Sequence, residues 1–173
     1  VRTSLVLTVI GSDRPGIVEQ ISDQVLAAGA NWEESRMARL AGKFAGLLRI
    51  SVDAAHADRL ANLLRTLGDL TVVVERSPDV DVSRLRSLSL EVVGNDRPGI
   101  IRDISHVLAR HGVNIEELDT EVTGAAMSGE PVFRARARVR LPESADITAI
   151  RDTLEAMADH LMVDLEFGEG EPT

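Results

Sequence analysis

The chain has 173 residues, 44% of them hydrophobic, which suits two small domains with real cores and excludes a disordered chain. It has no cysteine, so disulfides, thiolate metal sites and cysteine nucleophiles are excluded. Its net charge is −9, split as −2 over residues 1–83 and −7 over residues 84–173, and an acidic chain with only 2% aromatics is poorly suited to nucleic acid, where counterion release requires clustered Lys and Arg.

The predicted elements run as follows. Leu5, Leu7 and Val9 alternate, giving a strand with one buried face. The turn "GSDRPGI" (Gly11 to Ile17) follows, with Pro15 suited to the first helical position. Ile17, Ile21 and Val25 recur at helical spacing, and Gly29 ends that helix in the left-handed conformation. A second strand starts near Asn31 and meets a third, Lys43–Val52, around Ala41-Gly42. Leu60, Leu63, Leu64 and Leu67 mark a second helix, and Thr71–Arg76 a closing strand. This gives a first domain over 1–77, followed by a linker over 78–84 in a stretch rich in Asp, Ser and Pro.

The second domain, 85–169, repeats the order, with a tail over 170–173. Its first strand carries Leu88, Leu90 and Val92, and its turn is "GNDRPGI" (Gly94 to Ile100), containing Pro98. Ile100, Ile104 and Leu108 precede Gly112, and a strand starts near Asn114. A longer loop, Thr123 to Pro131, separates it from a third strand over Phe133–Leu141; the loop reads either as a recognition element or as a tolerated insertion. Ile147, Ile150, Leu154, Met157 and Leu161 form the second helix, and Met162–Phe167 the last strand. Offset by 83, residues 5–37 and 88–120 are identical at 15 of 33 positions without a gap. The order βαββαβ, twice, predicts an α+β chain of two tandem ferredoxin-like units, each an antiparallel sheet with helices on one face.

The chemistry the sequence offers is limited. G-x-x-x-x-G is half of a phosphate loop, but Ile-Val and Ile-Ile follow it where Lys and Ser/Thr are needed, which removes the nucleotide reading. His56, His106, His111 and His160 show no metal-ligand spacing. The adjacent pairs Glu33-Glu34 and Glu116-Glu117 are expected to point to opposite strand faces and so to form no acid–base dyad. Arg134, Arg136, Arg138 and Arg140 alternate on one strand, beside Glu117, Asp119 and Glu121 on the next. This predicts a cross-strand ion-pair ladder, with phosphate binding by the arginine stripe as the alternative. The first unit has Ala45 and Leu47 at the comparable places, a face that a partner surface would cover. No catalytic residue, metal site or cofactor is expected. No apolar run approaches the roughly 18 residues of a membrane span, and the first residues lack a signal-peptide shape, so the expected location is the cytoplasm.

The turns remain. A helix start offers free amide hydrogens to a small carboxylate. Gly16 and Gly99 permit close approach, and Asp13 and Asp96 accept from an ammonium group. Asn31 and Asn114, each 18 residues after its aspartate, start a strand expected to lie near the turn. The alternative is architectural: Asp caps the helix, Pro starts it and Asn shapes a turn.

Strand, "DRPGI", amphipathic helix and "G-x-N-[WI]-E-E", all present twice, resemble the ACT domain, an amino-acid-sensing module. The stretch from Gly11 to Val52, together with "SGEPVFRARARVRLP", is similar to the glycine cleavage system transcriptional repressor family. The resemblance implies ligand contacts at Asp13, Arg14, Pro15, Gly16, Ile17 and Asn31, and at Asp96, Arg97, Pro98, Gly99, Ile100 and Asn114. It also implies a small amino acid such as glycine as signal, no catalysis, and a separate DNA-binding transcription factor as partner, with no direct contact to nucleic acid or membrane. A homodimer is left open. Some serine-binding ACT domains carry Asn at the first of these positions and His two residues earlier; here Asp13 and Asp96 follow Gly11 and Gly94, so that geometry does not transfer unchanged. Two other readings stay open: a regulatory subunit of an amino-acid or one-carbon enzyme, and an interaction module whose ligand sites have lapsed.

Overall fold

A computed structural model describes residues 1–76, 85–124 and 130–169. The expected 78–84 linker, the 170–173 tail and the middle of the Thr123–Pro131 loop lie outside these residues. The chain divides into two compact units, Val1–Val80 and Asp81–Thr173.

The first unit runs β1 (Arg2–Ser12), α1 (Ile17–Ala27), β2 (Asn31–Leu40), β3 (Lys43–Asp53), α2 (Ala57–Arg65) and β4 (Thr71–Arg76). Its antiparallel sheet has the order β2-β3-β1-β4. The second runs β5 (Leu85–Asn95), α3 (Ile100–Arg110), β6 (Asn114–Gly124), β7 (Pro131–Pro142), α4 (Ile147–Leu161) and β8 (Val163–Glu169), with the sheet order β6-β7-β5-β8. Both are the βαββαβ sandwich that the alternation of strand and helix periods predicts.

Each core is aliphatic and lies between one sheet face and two helices. In the first unit Leu5, Leu7 and Val9 of β1 and Leu48, Ile50 and Val52 of β3 meet Ile17, Ile21 and Val25 of α1 and Leu60 and Leu64 of α2. A side chain buried in this way contributes about 1.5–3 kcal/mol. Helices α1 and α3 end alike. Gly29 and Gly112 take φ of 64° and 69°. Ala30 N then donates to Val25 O and Gly29 N to Leu26 O, just as Val113 N donates to Leu108 O and Gly112 N to Ala109 O. These bonds satisfy carbonyls that the last turn would otherwise leave unpaired.

Four expectations change. Pro15 and Pro98 are not first helical residues: each precedes an N-cap glycine, Gly16 (φ 86°) or Gly99 (φ 99°). Leu63 lies on the solvent side of α2, whose buried stripe is Ala57, Leu60, Ala61 and Leu64, because one helix face spans about three positions per two turns and the alanines complete it. Met162 is not a strand residue but the left-handed cap of α4 (φ 54°). The third strand of the second unit starts at Pro131 and pairs back to Gly124, so both ends of the inserted loop belong to strands.

Candidate functional site

The glutamate doublets behave otherwise than strand alternation predicts. A β-bulge falls between Trp32 and Glu34, and another between Ile115 and Glu117. A bulge sets two residues against one on the partner strand, so adjacent side chains share a face. Arg49 therefore meets both Glu33 (3.5 Å) and Glu34 (3.8 Å). Its counterpart Arg138 meets Glu116 (3.6 Å) and hydrogen-bonds Glu117. Arg140 takes Glu116 at 2.8 Å. Of the expected ladder only Glu117 pairs as foreseen. Arg134 and Arg136 turn instead to Glu91 of β5, at 3.9 and 3.3 Å. Asp119 and Glu121 face Arg136 and Arg134 in register but form no ion pair among the described residues. The pairs are partly solvated, and each contributes about 0–1 kcal/mol. The matching face of the first unit is apolar: Leu47 is 52% exposed, alongside exposed Ile10 and Val73.

The turns occupy one end of each unit. Asp13 N donates to Gly42 O (3.0 Å), and Asp96 N to Pro131 O (2.9 Å), which ties each turn to the hairpin joining the second and third strands. The N-cap glycines carry no side chain and no other side chain caps these helices, so the first-turn amides of α1 and α3 have no side-chain acceptor. Ile17 and Ile100 are buried anchors, while Pro15, Gly16, Pro98 and Gly99 are exposed. Neither aspartate caps its helix.

Asn31 and Asn114 lie elsewhere. In the first unit Ser12 pairs with Lys43 and Asn31 with Ser51. In the second, Asn95 pairs with Val132 and Asn114 with Arg140. Eight residues of strand, about 27 Å at 3.3–3.4 Å per residue, separate each asparagine from the turn of its own unit. The expected proximity fails because both the first and second strands run antiparallel to the third. They are thus parallel to each other, and the helix between them carries the chain back to the far end.

The two turns share a sequence but not an environment. In the first, Arg39 Nε donates to Asp13 Oδ2 at 2.6 Å. Arg14 grips Asp69 through Nε (3.1 Å) and Nη2 (2.8 Å), and Nη2 also donates to Gln20 Oε1 at 2.7 Å. The Arg14 hydrogen bond, then the Asp69 backbone amide, hold the Asp69 carboxyl below its ordinary value of 3.8. The stability it confers is thus complete above the unfolded pKa and lost as pH falls through the lower folded one. Wild type is expected to melt above Asp69→Asn at pH 7, with the gap closing below about pH 4. Melting curves of both proteins from pH 7 to pH 2.5 check this, and a gap constant across the range would refute it.

In the second turn both clamps are missing. Position 39 corresponds to Val122, since Arg39 pairs with Phe44 and Val122 with Phe133 at matching register. Position 69 corresponds to Met162, because Leu70 and Val163 stand equivalently against Gly11 and Gly94. The Asp96 carboxylate has no hydrogen bond or ion pair among the described residues. The Arg97 Nη2 nitrogen is buried and has no hydrogen-bond partner. Asp103, which stands where Gln20 does, lies 3.9 Å from Arg102 Nη1 and makes no bond to Arg97. These locks were not legible beforehand, because Asp69 stands 55 positions from Arg14 and Arg39 stands 26 from Asp13.

Among the described residues no group of three or more His, Asp or Glu is placed to hold a metal, and no helix is long and apolar enough to cross a membrane.

Comparison with known proteins agrees with this architecture. ACT-domain family models match residues 3–75 and 88–157. The chain is 28% identical over 165 residues to the glycine cleavage system transcriptional repressor of Escherichia coli (strain K12), covering 91% of this chain and 85% of the relative. The same figures hold for the repressor of Shigella flexneri. The crystal structure of an unknown protein from Galdieria sulphuraria superposes with a TM-score of 0.89 at 32% identity, covering 98% of this chain and 99% of that one. Two domain matches, one in each sandwich, with similarity to a single relative running through both, establish that the chain belongs to the ACT-domain family, as a tandem regulatory protein related to the glycine cleavage system transcriptional repressor.

Proposed function

We propose that this chain is a non-enzymatic amino-acid sensor that acts on a separate DNA-binding transcription factor of glycine metabolism. The observation that carries the reading is the helix-start turn, built the same way in both units: a left-handed glycine N-cap, first-turn amides without a side-chain cap, and an aspartate–arginine pair beside them. Such a turn matches a zwitterion, with amides and guanidinium for its carboxylate and aspartate for its ammonium group. Similarity to the repressor over most of the chain supplies the metabolic context. The net charge of −9 supports action through a protein rather than on DNA directly, and the cytoplasm is where such a partner resides.

Of the two turns, Asp13 to Ile17 and Asp96 to Ile100, at least one holds the ligand. Asn31 and Asn114 join such a site only when a different unit supplies them, which a second copy of the chain would do. The ligand works by differential affinity: it favours the conformation with the higher, or the lower, affinity for the partner.

A thermal-shift screen with each of the twenty amino acids at millimolar concentration tests the reading. A ligand at 100 times its Kd stabilises by about 2.7 kcal/mol, which in a chain of this size raises Tm by about 5–10 °C. A Tm unchanged by all twenty would sink it.

A further inference from the structure

We infer that the two turns have divided the work: the turn at Asp96–Ile100 takes the ligand, and the turn at Asp13–Ile17 is closed by a carboxylate of the chain itself. The inference rests on the amino-acid reading of the turns and goes beyond it by assigning the site to one unit and naming what shuts the other.

In the first unit Asp69 lies against Arg14 as the carboxylate of a bound amino acid would, with two hydrogen bonds from one guanidinium. Paired donors from one planar fork are the geometry by which arginine recognises carboxylates. Arg39 holds Asp13 Oδ2 in turn, so an ammonium group would have to compete with a guanidinium for that carboxylate. Both halves of a zwitterion are thus already present as side chains, and a free amino acid would have to displace two ion pairs to enter.

The second unit keeps the arginine and the aspartate and has lost both occupants. Met162 replaces Asp69 and is 81% exposed, and Val122 replaces Arg39. Arg97 Nη2 corresponds to the Arg14 nitrogen that serves Asp69 and Gln20, and it is buried with no acceptor. A buried donor without a partner carries a desolvation cost that an arriving carboxylate removes. The carboxylate of Asp96, in the same turn, is the acceptor for the ammonium group. The chemical class that fits is therefore a zwitterionic α-amino acid, bound through Arg97.

Exchanging the occupants between units tests this. Asp at position 162 and Arg at position 122 would close the second turn. Met162 has a left-handed backbone, which aspartate adopts more readily than methionine, and Val122 is 53% exposed, so Val122→Arg/Met162→Asp is expected to fold. Asp69→Ala/Arg39→Val would open the first turn. The probe is glycine, followed by any other amino acid that raises Tm in the screen, in isothermal titrations of the full chain. Far-UV circular dichroism serves as the fold check for each variant.

Wild type is expected to bind one amino acid per chain. The closing variant should weaken binding at least tenfold, and the opening variant should bind two per chain. Arg97→Ala should abolish wild-type binding, and Arg14→Ala should leave it within twofold. Two equivalent sites in wild type, or loss with Arg14→Ala but not Arg97→Ala, would overturn the division of work while leaving the amino-acid reading intact. No binding of any amino acid by wild type would remove both. Should the closing variant fail the fold check, the comparison of Arg97→Ala with Arg14→Ala decides alone.

Discussion

Leu154→Ala is expected to lower the unfolding free energy by about 2–5 kcal/mol. Leu154 is fully buried at the middle of α4, between Ile150 and Ala158 on the stripe that enters the core of the second unit. Truncation removes three carbons from this core, and Val92, Val139 and Leu141 of the same core lie on hydrogen-bonded strands that cannot collapse freely into the space. The loss is therefore the transfer energy of the lost carbons plus the cost of a residual cavity. The aromatic-poor composition sharpens the expectation, since the only rings in this core, Phe133 and Phe167, are already buried within it and not spare to refill the hole. Glu155→Ala, at the exposed adjacent position, should stay within about 0.5 kcal/mol of wild type. Urea unfolding followed by far-UV circular dichroism gives both values, and equal values would refute the assigned helix face.

Gly46→Ala is expected to cost about 2–3 kcal/mol, although alanine is the smallest possible addition. Gly46 lies on the helix-side face of β3, and Met37 of the neighbouring strand folds over it. A methyl group there would stand 2.8 Å from the Arg36 carbonyl oxygen and 3.1 Å from the Met37 Cα atom. Rotating the methionine clears its own side chain but not those backbone atoms, so β2 itself must yield. The second unit solves the same place differently, with Ala135 opposite Thr120. Gly46→Ala/Met37→Thr copies that pairing and clears the methionine but not the backbone atoms, so it should recover part of the loss and no more than half. A double-mutant cycle in urea measures the coupling, and strict additivity of the two changes would contradict the packing described.

Much of this architecture is readable along the chain. The alternation of Leu5, Leu7 and Val9, the helical spacing of Ile17, Ile21 and Val25, and their recurrence 83 positions later place the first strand and first helix of each unit, and the closing strand of the first unit, Thr71–Arg76, has the bounds read from its sequence. These signals are local, and local periodicity reports which face a residue takes. What eluded the reading is long-range. The Asp69 clamp on Arg14 depends on the return of a strand half a domain away. The place of Asn31 could have been deduced, since two strands that both run against a third must run parallel, with their starts at the same end. The bulges had one signal, the repeated Glu-Glu doublet followed in both units by an arginine at the matching place, Arg49 and Arg138. A doublet interrupting an alternating strand in two copies is hard to explain while each residue keeps its own face.

The bulges also govern how these strands can change length. Trp32 and Met37 are five apart, and Ile115 and Leu118 three apart, yet each pair lies on the helix side of its sheet. Odd spacings put residues out of phase in an unbroken strand, and the extra residue restores the phase. Losing Glu116 alone would remove the extra residue and set Ile115 and Leu118 two apart, both still on the helix side, at the cost of the Glu116 ion pairs to Arg138 and Arg140. A one-residue deletion at either bulge therefore keeps every side chain on its own face, whereas one deeper in β2 or β6 would move the residues on one side of it to the opposite face.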